Sequence, residues 1–324
     1  MGVTSFRAPP PASGPPVAVD RWPSELPLQA LCMLFSVVLY VLLAVSIVGL
    51  VYVVAAALFF FGAQAAFVAW IRGNAVRLGP DQFPDLYRRV LDLAGRIGLD
   101  EVPDAYLMQA GGALNAFATR FLGLHLIVLY SELLEACGDN AAARDMIIAH
   151  ELGHVKAGHL KLRWLIAPAN LMPFLGTALS RAREYTCDRY GVAGAGDRDG
   201  ALLGLTVLAA GGRRAPAVNR RALARQREDT DTGWLTIGEW LAGHPTLARR
   251  LAAIEPALVE GTAEPLGGRI RALAIIGAFV LVVVVGGGML IRGALTRFME
   301  EAQRAAAQRQ QQSLPYGTEG TGQR

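Results

Sequence analysis

The residues His150-Glu151-Leu152-Gly153-His154 carry the clearest chemistry in the chain. Side chains four apart share one face of a helix, so both imidazoles can point at one spot. Such a pair suits Zn²⁺, and Glu151, one residue round from the first ring, can hold and deprotonate a metal-bound water. Two His do not complete a catalytic zinc site, which takes three protein ligands and leaves a position for solvent. His159 stands five residues past His154, faces elsewhere on a helix, and is set aside as a ligand. A carboxylate from a second helix is the other standard solution, and Glu184 is the best downstream candidate. Asp188, four residues on, shares its face and can accept a hydrogen bond from a ligating imidazole, fixing its tautomer. The plainer reading of Glu184 and Asp188 is a surface ion pair with Arg181, Arg183 or Arg189; the H-E-x-x-H pattern tips the balance to ligation. Peptide hydrolysis also needs a donor for the oxyanion that forms. His244 is the candidate, although a lone His before a Pro is more often a turn or cap residue.

These residues need elements to hold them. Residues 141–157 read as a buried helix, capped by Asp139 or Asn140 and ended by Gly158. A second helix carries Glu184 and Asp188 and ends near Gly191. Residues 82–98 form an amphipathic helix with Phe83, Leu86, Val90, Leu93 and Ile97 on one stripe. Residues 105–108 and the run Leu124–Tyr130 read as strands, with Gly111 and Gly112 in a turn between them. His125 is read as structural, and Ser131 as the cap of a short helix. Residues 201–210 continue helically, and the charged stretch 213–232 reads as a solvated, mobile loop. Cys32, Cys137 and Cys187 are odd in number and widely spaced, so no disulfide framework is expected, and Cys187 reads as a small packing residue.

The chain of 324 residues is 53% hydrophobic and only 18% charged, more apolar than a soluble domain, which points to membrane segments. Residues 28–71 hold no charge and are about twice as long as one span requires. Two spans turning near residues 46–49 fit this run; one span followed by an amphipathic or buried helix is the alternative. Residues 266–292 give a further span, flanked by Arg269 and Arg292. Residues 162–180 are broken by Pro168 and Pro173 and read as membrane-dipping or surface-lying. Residues 1–27 are a Pro-rich tail expected to be disordered, and 293–324 begin helically and end as a polar tail. Residues 72–265 then form the catalytic domain. Arg72, Arg77, Arg88 and Arg89 place that domain on the cytoplasmic side. The net charge of +4 is explained by such flanks, and no nucleic-acid partner is expected.

Several stretches together resemble the M48 family of membrane zinc metallopeptidases, and within it the HtpX-like group. They are Asn115-Ala116-Phe117-Ala118, the run from His150 to His159, the run from Arg183 to Gly191, and His244-Pro245-Thr246-Leu247-Ala248-Arg249-Arg250. In order, they cover about residues 82–255. The resemblance implies His150, His154 and Glu184 as ligands of one Zn²⁺ per chain, Glu151 as general base and Asp188 as the support of a ligand. It further implies that His244 stabilises the intermediate and that Arg250 braces the site. Asn115 and the strand with Leu126 and Val128 would bind the substrate backbone as an added strand. HtpX-like members usually carry two spans between the two metal-bearing helices; here only the Pro-broken run stands there, and a C-terminal span is present instead.

The fold class expected is α+β, mostly α: a zincin-like metallopeptidase domain with an N-terminal transmembrane hairpin and a C-terminal transmembrane helix. The expected function is a zinc endopeptidase of a bacterial inner membrane. Its partners would be the lipid bilayer and a peptide or membrane-protein substrate, in quality control or precursor processing. The alternative from another class is a catalytically silent membrane scaffold that keeps the fold.

Overall fold

The computed structural model describes residues 15–112, 114–262 and 266–312. The uncharged run 28–71 lies within α1 (Glu25–Val45) and α2 (Ile47–Asn74), with Glu25 and Arg72 just outside it. Ser46 breaks it with extended backbone, and its hydroxyl accepts from Gly49 N to cap α2, so the turn falls in the expected window. After α2 come β1 (Val76–Arg77), α3 (Pro84–Arg96), β2 (Asp104–Met108), β3 (Ala116–Phe121) and β4 (Leu124–Tyr130). Then follow α4 (Ser131–Ala136), α5 (Ala141–Lys156), α6 (Leu175–Ala195), α7 (Arg198–Ala210) and α8 (Arg220–Arg225). The chain continues through α9 (Gly233–Leu241), α10 (Leu247–Ile254) and the long α11 (Gly267–Gln312).

The α+β, mostly helical architecture agrees with the expected class. The four strands lie in the order β1-β2-β4-β3, with β2 and β4 parallel and the other pairs antiparallel. β3 joins β4 through Leu122 and Gly123, both at positive φ, a tight hairpin turn. The motif helix α5 is buried nearly all round, from Asp145 to Gly153. One face meets α3 and the sheet through Ile148, Leu152, Val90 and Ile127; the other meets α7 and α10 through Met146, Ile147, Leu205 and Leu251. At its start, Asn140 accepts from Ala143 N, and Asp145 is gripped by the Arg89 guanidinium of α3.

α6 makes the most extensive helix contact with α5. Small residues allow it. A Cβ on Gly194 would stand 2.1 Å from Ala149 Cβ, and one on Gly191 would stand 2.9 Å from Met146 O. No side chain fits there without separating the helices.

α1, α2 and α11 are each long and apolar enough to cross a membrane. Only 11% of the apolar window of α1 and of α2 is buried by protein, and none of that of α11. Surfaces this apolar call for an apolar solvent, and the molecule is built as a membrane protein. α2 also holds the sheet: Gln64 donates to Thr119 Oγ1 at 2.9 Å, and Phe61 and Phe67 pack on Phe121 and Phe117. Residues 162–180 do not form one apolar helix. Turns and a 3₁₀ segment (Ala167–Leu171) precede α6, leaving Trp164, Leu171 and Met172 exposed.

Three expectations change. The Pro-rich tail is not free throughout: residues 15–24 lie along the domain, with Val17 N donating to Arg96 O and Trp22 stacked on Tyr185 at 4.4 Å. Backbone pairing and aromatic burial hold what composition read as disorder; residues 1–14 lie outside the described part. The charged stretch 213–232 is folded, with α8 burying Ala224 and Asp231 accepting from Gly268 N at the start of α11. Phe83 does not join the α3 stripe but precedes it at φ 56°, half exposed. Residues 313–324 of the expected polar tail lie outside the described residues.

The α5–α6 contact gives a direct test. Gly194→Ala should cost about 1–3 kcal/mol through overpacking, read as a lower melting temperature of the detergent-solubilised protein. An unchanged melting temperature would mean the helices are not this close.

Candidate metal centre

His150 and His154 stand one turn apart on α5, and Glu184 faces both from α6. His150 Nε2 lies 3.4 Å from Glu184 Oε2, and His154 Nε2 lies 3.5 Å from Glu184 Oε1. The other nitrogen of each ring is engaged behind. His150 Nδ1 is 3.1 Å from Asp188 Oδ1, and His154 Nδ1 is 3.1 Å from His159 Nδ1. Both Nε2 atoms therefore converge on one carboxylate. Donors on a tetrahedral zinc with bonds near 2.0–2.1 Å lie about 3.4 Å apart, so the two imidazole–carboxylate spacings suit that ion.

Arg250, from α10, is buried and completes the back of the site. Its Nε donates to Asp188 Oδ2 at 2.9 Å, its Nη2 donates to Asp188 Oδ1, and its Nη1 stands 4.0 Å from Glu184 Oε2. His244 Nδ1 is 3.2 Å from Glu184 Oε2, while its ring remains mostly open to solvent. The turn that carries it is pinned by Arg181 of α6, whose Nη1 donates to the carbonyls of Trp240 and Ala242 at the end of α9. Thr246 then accepts from Arg249 N and starts α10.

These contacts set the charges. Burial works against a charged His150, but Asp188 and Glu184 outweigh it and raise its pKa to about 10. Burial works against ionised Glu184, yet hydrogen bonds from His150, His154 and His244 hold its carboxyl well below the usual range. Asp188 is likewise lowered: Arg250 and His150 overcome its desolvation. Glu151 is buried beside the pair, and burial pushes its carboxyl up, more than the neighbouring imidazoles lower it. That direction suits a group that must take and return a proton near neutral pH.

A cavity of about 330 Å³ opens over His150, Glu151, His154, Glu184 and His244. One wall is Asn115 with the first residues of β3, Ala116, Phe117 and Ala118. Here the geometry differs from the expected substrate strand. β4 is paired with β2 on one side and β3 on the other, and Leu126 and Val128 are fully buried. They have no free backbone edge to offer. Among the described residues the unpaired edge beside the cavity belongs to β3, which the sequence does not mark as a strand because Thr119 and Arg120 break the apolar alternation of 116–121.

Cys187 is a second candidate for the third donor. One donor atom each from His150, His154 and Cys187 lies within 4.8 Å of the others. Its sulfur, however, contacts His159 Nδ1 at 3.6 Å, the atom that also meets His154 Nδ1, so it sits behind that ring. Burial and the surrounding carboxylates hold its thiol well above its ordinary pKa. His159 is itself buried, and burial lowers it to about 4 despite a hydrogen bond to Glu25.

A helix-borne imidazole pair, an adjoining buried Glu and a cavity against a strand edge form the constellation of a metallopeptidase. The sequence pattern of Peptidase family M48 matches residues 80–177 and 160–257, together more than half of the chain. The chain belongs to Peptidase family M48. No curated protein and no solved structure matches it.

Removing Arg250 strands a buried carboxylate. Arg250→Met should destabilise the folded protein by about 3–5 kcal/mol, measured by thermal or denaturant unfolding in detergent; a change under about 1 kcal/mol would mean that Asp188 is solvated or protonated.

Proposed function

We propose that this membrane metallopeptidase is a zinc-dependent endopeptidase that cuts peptide or membrane-protein substrates. His150, His154 and Glu184 would hold one Zn²⁺ per chain. The observation that carries this is the convergence of both Nε2 atoms on the Glu184 carboxylate while both Nδ1 atoms are engaged elsewhere. When bound, zinc supplies a Lewis acid for the scissile carbonyl and lowers the pKa of an attacking water.

The chain's own groups supply the rest. Glu151 takes the water's proton and returns it to the leaving amine, helped by a carboxyl raised by burial. His244, exposed at the cavity mouth, donates a hydrogen bond to the oxyanion of the tetrahedral intermediate. Asp188 and Arg250 keep His150 oriented. Asn115 and β3 offer the substrate backbone an edge to extend, which selects unfolded or extended segments over folded ones.

Residues 28–71 and 266–292 cross the bilayer in this reading, with the catalytic domain of residues 72–265 on the cytoplasmic face of a bacterial inner membrane. Arg72 and Arg77 just beyond α2 support that side. The segment 162–180 lies on the membrane surface, with exposed Trp164, Leu171 and Met172 toward lipid. Clearance of damaged membrane proteins or processing of a membrane-bound precursor both suit a site held this close to the bilayer. A catalytically silent scaffold is the competing reading, and Glu151 separates the two.

Glu151→Gln should retain zinc and lose peptide cleavage by about 10²–10⁴-fold, assayed on casein or a quenched peptide. Equal cleavage by both forms would remove the mechanism. Glu184→Ala should lose zinc, whereas Cys187→Ala should keep it, as read by metal analysis of purified protein. The opposite pattern would make Cys187 the third ligand.

A further inference from the structure

Behind His154 lies a row of polar groups that the hydrolytic chemistry does not use. His154 Nδ1 is 3.1 Å from His159 Nδ1, and His159 Nε2 is 3.1 Å from Glu25 Oε1. Glu25 is the first residue of α1 and is fully buried against the domain. Arg21 Nη1 donates to the same oxygen, and Thr186 Oγ1 donates to the other. The segment before Glu25 is fixed as well. Trp22 N donates to Thr186 Oγ1 at 2.8 Å, Arg21 Nη2 donates to Ala157 O, and Arg189 Nη1 donates to the carbonyls of Asp20 and Arg21.

Hydrogen positions follow from what each group can do. An ionised carboxylate only accepts, so His159 must donate from Nε2. A neutral His159 then has a lone pair on Nδ1; the Cys187 thiol lies 3.6 Å from that atom, but His154 Nδ1 is closer at 3.1 Å, and two lone pairs would repel at that distance, so His154 donates. That leaves Nε2, the atom facing Glu184, as the position from which His154 could give up a proton and offer a lone pair to a metal. His150 is arranged alike in one step, since Asp188 accepts from its Nδ1 and leaves its Nε2 toward Glu184.

We infer that Glu25, acting through His159, is a positioning residue that fixes the tautomer and orientation of His154, as Asp188 does for His150. This rests on the reading of His150, His154 and Glu184 as ligands. The membrane-entering helix therefore supplies part of the metal site's support, although Glu25 lies far from it in sequence and touches neither substrate nor metal.

The full chain in detergent provides the test, with zinc affinity measured by competition with a chromophoric chelator. Glu25→Leu and His159→Phe should each weaken zinc binding by about 10–100-fold. The double variant should be no weaker than His159→Phe, because both changes break one relay. Glu25→Gln, whose amide oxygen still accepts the His159 proton, should keep most of the affinity. A merely structural role for Glu25 would lower the melting temperature while leaving the zinc affinity of every variant within about twofold of the parent, and that result overturns the inference. Should the variants fail to fold, ¹⁵N spectra of histidine-labelled, zinc-free parent protein decide, since there are only five His to assign. A proton on His154 Nδ1 supports the relay; an unprotonated Nδ1 sinks it. His154→Ala marks the underlying reading. If that variant holds zinc as the parent does, the ligand set has failed; if it loses zinc while Glu25→Leu and His159→Phe do not, only the relay has failed.

Discussion

Charge that leaves water must find partners, and besides Glu151 this molecule buries three ionised carboxylates around one pair of rings. Glu25, Asp188 and Glu184 are all under 5% exposed. An isolated buried carboxylate would protonate or unfold its surroundings. Each is held ionised by donors from other elements: Asp188 by Arg250 of α10, Glu184 by His150 and His154 of α5 with His244, and Glu25 by Arg21 and Thr186. Such pairs add little net stability over an apolar core. What they add is uniqueness, because a shift of α1, α5, α6 or α10 would leave a charge without its partner.

That electrostatic requirement needs a geometric one. Side chains on two helices meet ring to carboxylate only when the backbones are close, and the small residues of α6 bring them close. Gly153, between His150 and His154, belongs to the same contact: a Cβ there would stand 2.9 Å from Tyr190 Cβ. The glycine between the two His is therefore a packing requirement of the second helix rather than a flexible link. Asn140, Arg89 and the surrounding core then fix α5 so that the close approach is not lost to sliding.

How much of this could be read from residues alone follows from the range of the physics involved. The helix over 141–156, its cap at Asn140, the break at Ser46 and the pairing of Glu184 with Asp188 are local: period, caps and turn residues specify them. So the structure brings His150, Glu151, His154, Glu184, Asp188, His244 and Arg250 together much as their spacing and the family likeness suggested. The misses are non-local. β1 is two residues long and visible only through its pairing with β2. β3 carries Thr119 and Arg120 and lacks a clean alternation, so the free sheet edge was placed one strand too far along. Glu25 gave no signal, since nothing in a tail rich in Pro and Ala announces a partner 134 residues away. Helix phase turns His159 away from the spot that His150 and His154 share, but phase cannot tell what a ring behind the site is holding.

The two rings are supported from different directions, and this asymmetry has a mechanical meaning. His150 is held by Asp188 of α6 and Arg250 of α10, both outside the apolar helices. His154 is held through His159 by a residue at the foot of a membrane helix. The sheet edge beside the cavity is likewise braced by α2, through Gln64 and Phe67. The membrane helices thus do more than tether a soluble enzyme. Pulling α1 away from α6 would expose Glu25 to water and free the His159 ring before any change reached His150. The ring of His154 and the strand edge thus lean on the apolar helices, whereas the ring of His150 leans on a buried ion pair. One ring of the candidate centre is therefore held by residues of α6 and α10, and the other by a chain of contacts that ends on the first residue of α1.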